Sequence, residues 1–237
     1  MATGTQRRPY PGTMTEAQID QGLRSYMLRV YNYMASGLAL TGIVAWVMAD
    51  TGLYLALMQS GIGFIVMLAP LGIVFFMGFK IETMKVRTAQ TLFWVFSVLM
   101  GASLSYIFIV YTGADIMRVF FITAAMFGAM SLYGYTTKRS LARWGSFLFM
   151  GLIGIIIASI VNIFVASSMM HWLISVIGVL VFTGLTAYDT QRIKHMYAET
   201  DGQAVMLKKS IMGAMSLYLN FINMFIMLLH LFGGARE

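Results

Sequence analysis

The chain has 237 residues, 59% of them hydrophobic and only 11% charged, against the roughly 25% charged residues usual for a soluble domain. Too little polar surface is available to solvate a globule, so the lipid bilayer is the solvent that fits. With no cysteine and three histidines, disulfide frameworks, thiolate metal sites, iron–sulfur clusters and cysteine nucleophiles are excluded, and the +7 formal charge reads as a topology signal rather than as a nucleic-acid footprint.

Residues 1–25 are polar and lack the short apolar core and small-residue cleavage site of a secretory signal. They are expected to form a disordered cytoplasmic tail, with residues 26–237 making one transmembrane domain. A spanning helix needs about 20 mainly apolar residues. Runs of that kind follow at 28–49, 56–79, 89–111, 116–136, 145–166, 169–190 and 210–232. The expected fold is therefore all-α, a polytopic membrane protein built as a seven-transmembrane helix bundle. The last two runs are the weakest, because each carries a strongly polar residue, Asp189 and Asn220.

Charge distribution sets the orientation, since Lys and Arg accumulate in cytoplasmic segments. Arg7, Arg8, Arg24, Arg29, Lys80, Lys85, Arg87, Lys138, Arg139, Arg143, Arg192, Lys194, Lys208 and Lys209 fall in one alternating set of segments; Arg118 and Arg236 fall in the other. The N-terminus is expected inside and, with seven spans, the C-terminus outside. The small-residue pairs Ala35/Ala39, Gly101/Ser105 and Ala125/Ala129 are expected to let helices approach closely.

The hexapeptide Gly-Ala-Met-Ser-Leu-Tyr occurs at 128–133 and again at 213–218. The separation corresponds to three helices, so helices 2–4 and 5–7 could be inverted repeats about a midplane site, or the match could be coincidence in a biased composition.

Asp189 is the one acidic residue inside an apolar run. An ionisable group in a membrane helix suggests an ion or proton pathway; a carboxylate near a helix end that simply pairs with Arg192, three residues on, is the competing reading. In the seventh run, Gly213, Ser216, Asn220, Asn223 and His230 form one stripe at helical spacing, which either lines a pathway or bonds helices together. Ser216 and Asn223 are the candidate lining residues. His171 and His230 are expected near the outer ends, solvated, with no metal-ligand spacing. No catalytic triad, zincin motif or phosphate loop is present, so no enzymatic activity, cofactor or metal is expected.

Several segments resemble the Bax inhibitor-1 family in its bacterial inner-membrane branch: Thr186-Ala-Tyr-Asp-Thr-Gln191, Ser216-Leu-Tyr-Leu-Asn-Phe-Ile-Asn223, Phe127-Gly-Ala-Met-Ser-Leu-Tyr-Gly-Tyr-Thr-Thr137 and Gly145-Ser-Phe-Leu-Phe-Met-Gly151. The resemblance implies a seven-helix bundle in the cell inner membrane and a pH-influenced cation leak, with calcium as the transient permeant ion. It also implies a gate of two aspartates, on the sixth and seventh helices, that share a proton. Asp189 matches the first; the second falls on Asn220, an amide that does not titrate but can donate a hydrogen bond. A weaker pH dependence is expected in consequence. The arginine that belongs to the family's switch near the end of the second helix has no counterpart, the region offering Gly78 and Lys80.

The leading reading is thus a cation leak gated by Asp189 and Asn220. The alternative is a membrane interaction protein that regulates, or is degraded by, a membrane-bound quality-control protease in stress response, its N-terminal tail serving as the recognised segment. Deleting residues 2–20 separates them, since altered turnover with unaltered flux belongs to the second alone. A proton-coupled exporter is a third reading, with a lone acid as a thin coupling site.

Overall fold

With no water in the bilayer core to satisfy peptide groups, so apolar a chain must close its backbone hydrogen bonds within helices. The computed structural model describes residues 16–234. It contains, in chain order, α1 (Glu16–Asp50), α2 (Leu53–Gln59), α3 (Gly63–Lys80), α4 (Val86–Leu104), α5 (Tyr106–Val110), α6 (Gly113–Thr136), α7 (Ala142–Val165), α8 (Ser168–His195) and α9 (Gln203–Phe232). Seven segments are long and apolar enough to cross a membrane: α1, α3, α4 together with α5, and α6 to α9. The protein is a seven-helix membrane bundle.

Local chemistry accounts for the boundaries. Thr112 caps α6, its hydroxyl accepting the Asp115 N–H at 3.2 Å, and Ser167 caps α8 by accepting the Met170 N–H at 3.3 Å. The second span departs from the sequence expectation. Gly61 holds φ +77°, a left-handed conformation that favours glycine, and it splits the run into the short α2 and the spanning α3. The third span is interrupted at the buried Ser105, whose hydroxyl turns back onto the Gly101 carbonyl at 2.8 Å. Helices α8 and α9 run past their apolar stretches at the basic end, because nothing in Gln191–His195 or Gln203–Lys209 breaks a helix. Of the expected tail, residues 1–15 lie outside the described residues, while 16–25 form the first turns of α1.

Helix α9 is the axis of the bundle. It packs against α8, α1, α6 and α4, while α3 leans on α4 and α7 leans on α8. Of its most apolar stretch 67% is buried, against 11% for α7, the most apolar helix of all. Among helices in lipid, hydropathy marks the face turned outward, and polar residues mark the interior. The two runs that look weakest as spans are the two that form the centre.

Close approaches occur where a Cβ has no room. A Cβ on Gly134 of α6 would fall 2.2 Å from the Ala187 carbonyl of α8, and one on Gly101 of α4 would fall 2.7 Å from the Thr41 carbonyl of α1. Of the expected small-residue pairs only Gly101/Ser105 serves this purpose; Ala35, Ala39, Ala125 and Ala129 are exposed on the lipid side. The repeated hexapeptide also meets two environments, since Gly213, Ala214, Met215, Leu217 and Tyr218 are buried while Gly128, Leu132 and Tyr133 face outward.

The basic segments collect at one end of the bundle. There Lys208 donates to the Glu82 carbonyl at 2.7 Å, Lys194 to the Tyr135 carbonyl at 2.8 Å, and Lys209 to the Met196 carbonyl at 2.8 Å. At the opposite end Arg118 pairs with Asp115 at 2.7 Å and donates to the Phe232 carbonyl at 2.8 Å.

Candidate functional site

Antiparallel packing of α8 on α9 forms one continuous seam. Gly213 meets Ile193 at the basic end; Thr183 then donates to the Met224 sulfur at 3.3 Å, Gly178 receives Met227, and His171 meets His230 at the far end with ring centroids 4.6 Å apart. The polar stripe expected on α9 therefore faces α8. Contrary to expectation, the two histidines are in contact, and His230 is half-buried; the stripe brings to α8 a residue that linear spacing alone could not pair.

Asp189 lies in this seam, 6% exposed. Its Oδ2 accepts the Asn220 amide at 2.8 Å and the Ser216 hydroxyl at 2.9 Å, both from α9. Its Oδ1 pairs with the Arg192 guanidinium at 3.0 Å, one turn along its own helix. Arg192 also donates to the Ser216 oxygen at 3.2 Å. The Ser216 hydroxyl thus accepts from the cation and donates its single O–H to the carboxylate, a consistent use of its one donor. A buried charge is tolerated only when paired and hydrogen-bonded, and here donors from two helices enclose it.

Asp189 is sheltered between α8 and α9 and is also paired with Arg192, the partner that helical spacing offered. Asp189, Asn220 and Ser216 are brought together. Asn223 is not: its amide donates to the Leu219 carbonyl of its own helix at 2.8 Å. Lys80 is exposed and forms no ion pair among the described residues. Arg192 is the cation that neutralises Asp189.

Around it, each residue of the segment from Ala187 to Gln191 reaches a different neighbour. The Ala187 backbone lies against Gly134 of α6, and the Tyr188 ring fills the place of a side chain at Gly145 of α7. Asp189 turns to α9, and Thr190 bonds Ser131 of α6 at 3.0 Å, which in turn bonds Tyr31 of α1 at 2.5 Å. Buried Gln191 clamps the α6–α7 connection, accepting the Leu141 N–H at 2.7 Å and donating to the Arg139 carbonyl at 2.9 Å. A helix that must meet three neighbouring helices and the α6–α7 connection within five residues leaves almost no position free, which is the physical content of the motif.

The sequence profile described as Inhibitor of apoptosis-promoting Bax1 matches residues 23–237. The chain belongs to the Bax inhibitor-1 family. It is similar to the Rickettsia prowazekii protein RP147, 51% identical over 228 residues and covering 95% of this chain and 96% of that one. It is similar also to the inner membrane protein YbhL of Escherichia coli, 45% identical over 231 residues, 96% of this chain and 99% of the relative. An uncharacterized Caulobacter vibrioides protein is 44% identical over 241 residues, with 97% and 96% covered.

Within this Bax inhibitor-1 scaffold the polar chain Tyr31–Ser131–Thr190, which begins on α8 beside Asp189, was not visible in the sequence. Each member is a common residue, and only the fold brings three helices to one point. Among the described residues no three histidine or acidic side chains converge as a metal site.

Proposed function

We propose that the protein is a cation leak pathway of a bacterial inner membrane, with calcium as the permeant ion, and that this conformation is its closed form. No covalent chemistry is assigned to it. The observation that carries the reading is the burial of one carboxylate, Asp189, between α8 and α9, with every donor that holds it supplied by those two helices. An ionised group so placed costs free energy, and a membrane bundle that needed only adhesion would use neutral hydrogen bonds. Shielded by Arg192, the carboxylate attracts no cation; separated from it, Asp189 offers two oxygens suited to a hard divalent ion. A cavity of about 910 Å³ between α1, α6 and α9 is bordered by Phe221 and Ile222, the residues that follow Asn220, and has Asp50 on its rim. It serves as the vestibule on the far side of the latch. The basic end is cytoplasmic in this reading, the C-terminus outside.

The test is calcium entry into liposomes carrying the purified protein. Arg192→Gln unshields the carboxylate and is expected to raise entry by up to about fivefold, the scale of a half-exposed ion pair. Adding Asp189→Asn to that variant is expected to bring entry back to the wild-type rate or below it. Equal flux in all three chains would remove Asp189 as the gate, and flux no greater than in protein-free liposomes would remove the leak itself.

A further inference from the structure

Helices α1 and α6 each pack on α9, but they share no packed interface with one another; the Tyr31–Ser131 hydrogen bond joins them across a gap. Around that bond the gap is a cavity of about 580 Å³ bounded by Arg24, Met27, Leu28, Phe127, Gly128 and Tyr135, among others. Leu28 and Leu132 on its edges are 52% and 64% exposed, so it opens sideways into the membrane rather than along the bundle axis.

We infer that this groove binds one anionic phospholipid of the leaflet at the basic end, with its phosphate on Arg24 and Lys194 and its acyl chain against Met27 and Phe127. Depth selects a lipid over a partner helix. Arg24 lies at the start of the α1 span, and Tyr31 lies seven residues further, about 10 Å at 1.5 Å per residue. That reach fits within one leaflet of a hydrocarbon core about 30 Å thick, and on α6 the lining ends at Phe127, one turn past Ser131. A spanning helix would need a groove about twice as deep. Charge completes the match. Arg24 is exposed and forms no ion pair among the described residues. Lys194 stands 4.9 Å from the centre of the Tyr135 ring and uses a single donor on the Tyr135 carbonyl, leaving two for a phosphate. Basic pockets between membrane helices on this side are suited to anionic headgroups. None of these residues belongs to the Asp189 latch.

Native mass spectrometry of the detergent-solubilised chain, with phosphatidylglycerol or phosphatidylcholine of identical acyl chains, tests the assignment. Retention of phosphatidylglycerol is expected to exceed that of phosphatidylcholine by roughly fivefold. Arg24→Gln is expected to abolish the preference, while Arg29→Gln, an equal loss of charge on another face of α1, keeps it. A Cβ on Gly128 meets nothing within 4 Å, so Gly128→Phe fills the groove without displacing protein, and is expected to lower retention of both lipids with an unchanged melting midpoint. Equal retention of the two lipids by the wild type, or loss of preference in Arg29→Gln to the same degree as in Arg24→Gln, overturns the headgroup assignment. Full retention in Gly128→Phe overturns the groove.

Discussion

At Asn220 one atom changes what the latch can sense. An amide nitrogen donating at 2.8 Å to Asp189 keeps its proton throughout the physiological range, so the pair cannot exchange a shared proton with water. Two carboxylates in that position would titrate together, joined while one proton remains and repelling once it leaves. Calcium entry through the wild type is therefore expected to be nearly flat between about pH 5 and pH 8, whereas Asn220→Asp gains a leak that rises with pH across that window. Liposome flux at fixed calcium, measured with both chains, reads this directly; an equally steep wild-type profile would place the pH sensor elsewhere. Residue chemistry of this kind was legible before any coordinates, because Asp189 and Asn220 each stand out against an apolar run. Arg192 was legible only as a local partner. That its guanidinium also reaches Ser216 on α9 depends on the register between two helices, which no linear pattern carries.

Between elements, contact is decided by missing side chains. Gly134 lets the α6 backbone reach the Ala187 carbonyl, and Gly145 accepts the Tyr188 ring, so the helix bearing Asp189 is gripped from two sides. Gly134→Ala forces a methyl group into a space already occupied by backbone, which cannot rotate away as a side chain can. A loss of about 1–3 kcal/mol is expected, the usual scale of overpacking, seen as a lower melting midpoint in detergent by tryptophan fluorescence. Gly128→Ala on the same helix, six residues earlier and pointing into open space, is expected to leave the midpoint unchanged. Equal effects at both positions would mean that helix propensity, not close approach, governs these glycines. The sequence pointed to Gly101/Ser105, where helices do approach closely, and to Ala35/Ala39 and Ala125/Ala129, which face lipid. Small residues spaced by four are frequent in any apolar chain, and spacing does not say which face turns inward.

For the molecule as a whole, hydropathy located seven spans but did not locate the centre: α7, the most apolar, is the least buried at 11%, and α9, among the less apolar, is the most buried at 67%, because in lipid the most apolar helix gains nothing by moving inside. What the bundle does declare is its polarity. Lys194, Lys208 and Lys209 all close onto backbone carbonyls at one end, and the opposite end carries, among the described residues, one ion pair, Asp115–Arg118. Cations retained beside a translocating helix resist crossing the membrane, so this end is expected in the cytoplasm. The absence of cysteine makes the orientation measurable without a background. In cells with a permeabilised outer membrane and an intact inner one, an impermeant maleimide is expected to label Gly234→Cys, beyond the last turn of α9, while Ser140→Cys in the α6–α7 connection reacts only after lysis. Labelling of both before lysis would break the odd number of crossings. The reverse pattern would turn the bundle over, setting the 910 Å³ vestibule toward the cytoplasm and reversing the side from which cations approach Asp189.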